Sequence, residues 1–299
     1  MTKSLLTAMA AAALLWLAGC ASSRESHAPA TAAAKSHFTK LGTNRIHYLT
    51  AGKGRTAIVF VHCWAGNSGF WREQIPAFAD KARLVLVDLP GHGQSDKPPT
   101  GYSMDCFAGA VLAVMRDAHV DNAVLVGHSM GTPVICRVYQ QAPEHVAALV
   151  AVDGILRRPP FTPEQTEQFV GPFRAPDYRE HTKNFIGSMF PIPGTEALRD
   201  QVLSEILATP QHVMLGAMEG MFGAGQPDWD VKRAGVPVLV INAKNPMWTE
   251  RYETYVGSLS AQTDYRVMDG VGHWLMLEKP AEFNATLTDM LRRFDLIAP

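Results

Sequence analysis

Apolar residues in this chain come in short unbroken runs, separated by polar stretches carrying glycine and proline. Residues 57–61 (AIVFV), 84–87 (LVLV), 123–126 (AVLV), 148–152 (ALVAV) and 237–241 (PVLVI) show no polar alternation. Runs of this length predict strands covered on both faces, as in a parallel sheet between helical layers. Residues 45–49 and 265–268 are weaker strand candidates at the two ends of the series. Helical spacing fills the gaps. Phe107, Val111, Val114 and Met115 recur at helical intervals, with Ser103 placed to cap their helix. Residues 132–140 predict a second helix. Pro280 opens a third, whose apolar side is Phe283, Leu287, Met290, Leu291 and Phe294. The alternation predicts one domain of α/β class, with a mostly parallel central sheet flanked by helices.

The rhythm fails over residues 156–228. That stretch is rich in Pro, Met and Phe, with helical patterns at 178–189 and 196–207 and no strand pattern. It reads as a helical cap inserted between two core segments, 37–155 and 229–299. No internal repeat is visible.

The first residues follow a different logic. Lys3 precedes an apolar stretch, 5–17, that is too short to span a bilayer as a helix. It ends in Leu17-Ala18-Gly19-Cys20. The combination resembles a bacterial lipoprotein signal, which implies removal of residues 1–19 and lipidation of Cys20. Acyl chains at that thiol would anchor a soluble domain, each buried methylene contributing about 0.8 kcal/mol. Residues 20–36, rich in Ala and Ser, then read as a flexible tether. Ala21 after the cysteine, where Asp would be the alternative, resembles signals sorted to the outer membrane. The expectation is a lipid-anchored protein of the bacterial cell envelope, facing the periplasm or the surface.

Composition narrows the partners. Hydrophobic residues make up 47% and charged residues 18%, an ordinary globular balance. The net charge of -1 and the lack of a basic run argue against nucleic acid. Four cysteines are too few for a disulfide scaffold, and Cys106 and Cys136 fall in helical stretches as buried thiols. No phosphate-binding glycine loop and no metal-ligand spacing is present, so neither cofactor nor metal is expected.

The strongest chemical signal is Gly127-His128-Ser129-Met130-Gly131, between the 123–126 strand and the 132–140 helix. A strand-to-helix turn this tight needs small flanking residues, hence the glycines. It projects the serine hydroxyl beside a helix N-terminus, where backbone N–H groups face developing negative charge. A serine hydroxyl needs a base to take its proton. Of eleven histidines, His273 in Gly270-Val271-Gly272-His273-Trp274 is best placed, on a glycine-lined loop after the last strand. Such loops sit over the C-terminal sheet edge, where ligands of parallel sheets bind. His47, His119, His145, His181 and His212 read as surface or packing residues. His128 reads as shaping the turn.

Four motifs in order now resemble the α/β-hydrolase superfamily over roughly residues 37–294. They are His62-Cys63-Trp64-Ala65-Gly66, the stretch from Asp88 to Asp96, the Gly127–Gly131 turn, and Gly272-His273. The resemblance implies that residues 156–228 wall the substrate pocket. It also implies an oxyanion hole from the backbone N–H of Met130 and that of Trp64. Cys63 departs from the family's usual glycine and reads as a structural thiol rather than a second nucleophile. Many members carry the triad acid after the seventh strand, but residues 241–246 (INAKNP) hold no carboxylate. Others carry it after the sixth, where Asp153 stands. Asp153 is the expected acid, with Asn245 as an alternative neutral orienter and Asp264 and Asp269 behind it. Asp88 and Asp96 read as turn residues, and Glu278 as belonging to the start of the C-terminal helix. Phe70, Trp71, Trp248 and the Met-rich stretch 214–221 are candidates for an acyl pocket.

The expected function is a serine carboxylesterase acting on a small-molecule, apolar ester. Amide, lactone or C–C bond hydrolysis would use the same residues, and a haloperoxidase-like side activity is compatible with them. Haloalkane dehalogenase and the usual epoxide hydrolase chemistry are disfavoured, because those relatives carry Asp where this chain has Ser129. The contrasting expectation is a non-catalytic binding lipoprotein that kept the fold.

Overall fold

The computed structural model describes residues 34–297. The expected lipidation site Cys20, the expected signal at 1–19 and most of the expected tether lie outside the described residues. Eight strands form one sheet in the order β1-β2-β4-β3-β5-β6-β7-β8. They are β1 (Lys35–Leu41), β2 (Asn44–Ala51), β3 (Ala57–Val61), β4 (Arg83–Val87), β5 (Ala123–His128), β6 (Val146–Val152), β7 (Val238–Ala243) and β8 (Thr263–Met268). Strands β3 to β8 run parallel, while β1 and β2 are antiparallel additions at one edge.

Every residue of β3, β5 and β7 is buried, which explains why their sequences are unbroken apolar runs. Edge strand β8 alternates and buries Asp264 against Arg266 and Arg293. Strand β1 has no run to betray it and begins at Lys35, inside the stretch that reads as tether. Its sequence KSHFTKL is held by pairing with β2, by His37 stacked on Tyr48 at 5.1 Å and by Arg45 over Phe38 at 4.4 Å.

The three core helices that the patterns predict all form. After a short α1 (Ile75–Phe78), helix α2 (Met104–Asp117) is capped by Ser103, which accepts from the Cys106 N–H at 3.2 Å. Helix α3 (Gly131–Gln141) follows β5 directly. The stretch between β6 and β7, the expected cap, holds four α-helices, α4 (Pro163–Val170), α5 (Tyr178–Ser188), α6 (Glu196–Leu207) and α7 (Gln211–Phe222). Helix α7 buries one broad face, with Val213, Met214, Ala217 and Met221, and escapes the pattern because apolar or small residues also fill the rest of 213–218 and blur the period. Helix α8 (Glu250–Gly257), the short α9 (Leu275–Glu278) and α10 (Pro280–Arg293) complete the core.

A buried carboxylate ties the loops at the β2–β4 edge. Asp88 accepts from His47 Nδ1 at 2.8 Å, the Ser68 N–H at 2.6 Å and the Gln94 N–H at 2.9 Å. Gly93 is required there, since a Cβ would lie 2.1 Å from Asp88 Oδ2. Asp96 accepts from the Arg45 N–H at 2.8 Å. Both aspartates are thus turn residues, and His47 is a packed one.

Burial pushes the His92 imidazole down to about 3 and lowers His62, so both are neutral in the fold. Burial opposes charge on Asp88, yet its hydrogen bonds from His47 and the loop N–H groups hold its carboxyl at about 2. Unfolded, such imidazoles titrate at about 6.5 and such carboxyls at about 3.9. The unfolded chain therefore binds more protons than the fold as pH drops below about 6.5, and Asp88 adds to the difference below about 4. The expected outcome is a thermal midpoint that falls steadily from pH 7 to pH 4. A midpoint flat over that range would contradict it.

Candidate active site

The turn after β5 is built by exclusion. A Cβ on Gly127 would meet the Gly131 carbonyl oxygen at 2.3 Å, and one on Gly131 would meet that of Val61 at 2.4 Å. Between them Ser129 adopts φ +53°, with its N–H on the Val152 carbonyl at 3.0 Å. Thr132 Oγ1 donates to the Gly127 carbonyl at 3.0 Å and closes the turn. Asp153, just past β6, also has positive φ, +42°, and Ala65 after β3 has +54°. Left-handed backbone at non-glycine residues costs about 1–3 kcal/mol each and clusters at functional sites.

These loops meet at a cavity of about 390 Å³ lined by Ser129, Asp153, His273, Met130 and Trp64. His273 Nδ1 donates to Asp153 Oδ2 at 2.6 Å. The carboxylate is 7% exposed. With the proton on Nδ1, Nε2 is the basic nitrogen of the neutral imidazole. Ser129 and His273 line the same cavity, and such a pair commonly completes its hydrogen bond only with substrate bound.

The other acid candidates lie elsewhere. Asp264 is bound to arginines, and Asp269 pairs with Lys244 on the surface at 2.8 Å. Asn245 also lines the cavity, but its Oδ1 accepts from the Met247 N–H at 2.9 Å, and the partner of the imidazole is Asp153.

The His273 loop is clamped on three sides. The His273 N–H donates to the Met189 carbonyl of the cap at 3.1 Å. Its carbonyl accepts from His128 Nε2 at 2.8 Å. Glu278, pushed up by burial, accepts from the N–H groups of Gly272 at 2.7 Å and Trp274 at 3.2 Å. His128 is buried, which pushes its imidazole far below the usual range, and it holds the loop as a neutral donor. The clamping carboxylate of Glu278 has no local signature, because its partners are backbone groups.

Among the described residues, the backbone N–H groups of Met130 and Trp64 donate to no protein acceptor. The loop carrying Trp64 is bonded to the cap, with Trp64 Nε1 on the Met214 carbonyl at 2.8 Å and Thr209 Oγ1 on that of Ala65 at 2.9 Å. Burial pushes the Cys63 thiol up to about 12, which leaves it neutral.

The acyl-pocket candidates divide. Trp248, Met218 and Met221 line the cavity with Phe169, Phe185 and Phe222. Phe70 and Trp71 instead are fully buried in the core. Among the described residues, no three His, Cys, Asp or Glu side chains converge as a metal site would require.

Residues 56–189 match the family model described as the alpha/beta hydrolase fold. The dihydrolipoyllysine-residue acetyltransferase component of the acetoin cleaving system of Cupriavidus necator is 27% identical, over 86% of this chain and 69% of the relative. The 2-hydroxy-6-oxo-6-(2'-aminophenyl)hexa-2,4-dienoic acid hydrolase of Metapseudomonas resinovorans is 28% identical, over 87% of this chain and 92% of that protein. Several other curated relatives match over 26% to 45% of their own length. A solved structure described as Est816, an N-acyl homoserine lactone degrading enzyme, superposes with a TM-score of 0.71 at 26% identity. That match covers 85% of this chain and 99% of the other.

The tight turn carries its own prediction. Gly131→Ala forces a Cβ against the Val61 carbonyl, and about 3 kcal/mol of stability is expected to be lost. Urea denaturation of the variant beside the parent measures it.

Proposed function

We propose that this chain, which has the α/β-hydrolase fold, is a serine hydrolase cleaving a carboxylic ester through an acyl-enzyme. The observation that carries the reading is the hydrogen bond from His273 Nδ1 to Asp153 Oδ2 at the wall of the cavity that also holds Ser129. Ser129 Oγ attacks the ester carbonyl and His273 Nε2 takes its proton. Asp153 orients the imidazole and stabilises the imidazolium that forms. The N–H groups of Met130 and Trp64 receive the oxyanion. His273 then protonates the departing alcohol. Water, activated by the same imidazole, releases the acid and regenerates Ser129.

The cavity wall indicates the acyl group. It is mainly apolar, with Phe, Met and Trp its largest side chains, and its one lysine, Lys244, is surface-exposed and paired with Asp269. An uncharged, apolar acyl chain suits such a wall, whereas a charged one would lose solvation without a partner. A lactone is the second reading, favoured by the similarity to the N-acyl homoserine lactone degrading enzyme. Ring opening at an ester carbonyl would use the same residues.

The anchoring of the chain is also a proposal. Cys20 carries the lipid and holds the catalytic domain at the bacterial envelope, most simply at the outer membrane. Among the described residues no helix is long and apolar enough to cross a membrane.

Two experiments test these readings. The full chain in detergent is assayed on p-nitrophenyl esters from acetate to palmitate, beside Ser129→Ala and Asp153→Asn. Turnover is expected to depend on Ser129, to favour short and medium acyl chains, and to fall about 10⁴-fold in Asp153→Asn. Silence of Asp153→Asn would remove the triad as drawn. Fractionation of the producing cells tests the anchor: Cys20→Ser is expected to move the protein from the membrane to the soluble fraction.

A further inference from the structure

The Asp153 carboxylate is buried, and its two oxygens are used differently. Oδ2 faces His273. Oδ1 accepts from the Ala243 N–H at 2.9 Å and from Trp248 Nε1 at 3.0 Å. The Ala243 N–H comes from the last residue of β7 and is fixed by the sheet. The indole comes from the loop after it.

That loop is shaped to deliver the indole. Asn245 Oδ1 accepts from the Met247 N–H, and the Asn245 carbonyl accepts from the Trp248 N–H at 3.0 Å. The Trp248 ring rests on Tyr252 of α8, with centroids 5.0 Å apart. Tyr252 in turn donates its hydroxyl to the Gly154 carbonyl at 3.2 Å and accepts from the Leu156 N–H at 3.1 Å. One aromatic pair therefore holds both the acid's side chain and the backbone that follows it. The same Trp248 ring lines the substrate cavity.

We propose that Trp248 is a positioning residue of the triad: its indole N–H fixes the plane of the Asp153 carboxylate so that Oδ2 meets His273, while its ring forms part of the substrate wall. The proposal rests on the serine-hydrolase reading above. With two donors on Oδ1, rotation of the carboxylate breaks two charge-assisted bonds. Without the indole donor only the Ala243 N–H restrains Oδ1. The carboxylate then keeps more negative charge for the imidazolium and holds it less firmly in place.

The test is Trp248→Phe in the full chain, which keeps an aromatic wall and removes the N–H. Expected with p-nitrophenyl esters is a kcat lower by about ten-fold, a KM within about two-fold, and an acidic limb of the kcat/KM profile moved to higher pH. The far-downfield proton resonance of the His273 Nδ1–H should shift as well. Phe185→Leu, which alters the wall without touching Asp153, should change KM and chain-length preference and leave the acidic limb in place. A KM change alone in Trp248→Phe, with limb and resonance unmoved, would make Trp248 only a wall and overturn the proposal. If Trp248→Phe does not fold, Asn245→Ala loosens the same turn and should lower kcat a few-fold, with the limb moving the same way; an unchanged limb there overturns the proposal too. If the parent protein shows no Ser129-dependent turnover, the ester reading fails by itself. The resonance in parent and variant still decides whether the indole positions Asp153 against His273.

Discussion

A carboxylate taken out of water must find donors, and the site is organised around meeting that demand for Asp153. Its three N–H partners come from three separate segments: the end of β7, the loop after it, and the loop after β8. The aspartate itself stands just past β6 in left-handed backbone, braced by its own N–H on the Ile241 carbonyl at 2.9 Å. Adjacent parallel strands make this possible, because their C-terminal ends open on the same edge. A strand slip of one residue between β6 and β7 would turn these groups to the opposite face.

Asp88 meets the same demand at the other side of the sheet, using His47 and loop N–H groups. The contrast between the two is informative. Asp88 lies away from the cavity, its partner His47 is fully buried, and nothing there can approach a substrate. Asp153 and His273 line a cavity. The pairing of Asp with His is thus one physical device with two uses, and the surrounding space decides which.

The parallel core was legible because strands buried on both faces leave runs such as AIVFV and PVLVI, which few other arrangements require. The Gly127–Gly131 turn was legible because its glycines answer a steric need within five residues. Strand β1 was illegible: its seven residues hold only Phe38 and Leu41 as apolar side chains, and β2 supplies the reason for its conformation. Trp248 was legible only as a candidate wall residue, since its bond to Asp153 joins positions 95 residues apart. The clamp by Glu278 was hidden for a related reason. A side chain that binds backbone N–H groups places no demand on the identity of its partners.

The cap belongs to this organisation as well as to the substrate wall. Its Met189 carbonyl holds the His273 N–H, its Met214 carbonyl holds the Trp64 indole, and Thr209 holds the Ala65 carbonyl beside it. Ala65 needs such support, because left-handed backbone at alanine is unfavourable on its own. The cap therefore braces both the histidine loop and the proposed oxyanion loop. A cap swinging freely as a lid would break these bonds at each opening and expose the groups they satisfy. Access to the cavity is better served by small movements at its rim, where Met247 is 59% exposed and Lys244 reaches solvent. On this reasoning the insertion between β6 and β7 shapes substrate choice and machinery together. Substitutions at the cap contacts with these loops should then be felt at the reacting groups even where they touch no substrate.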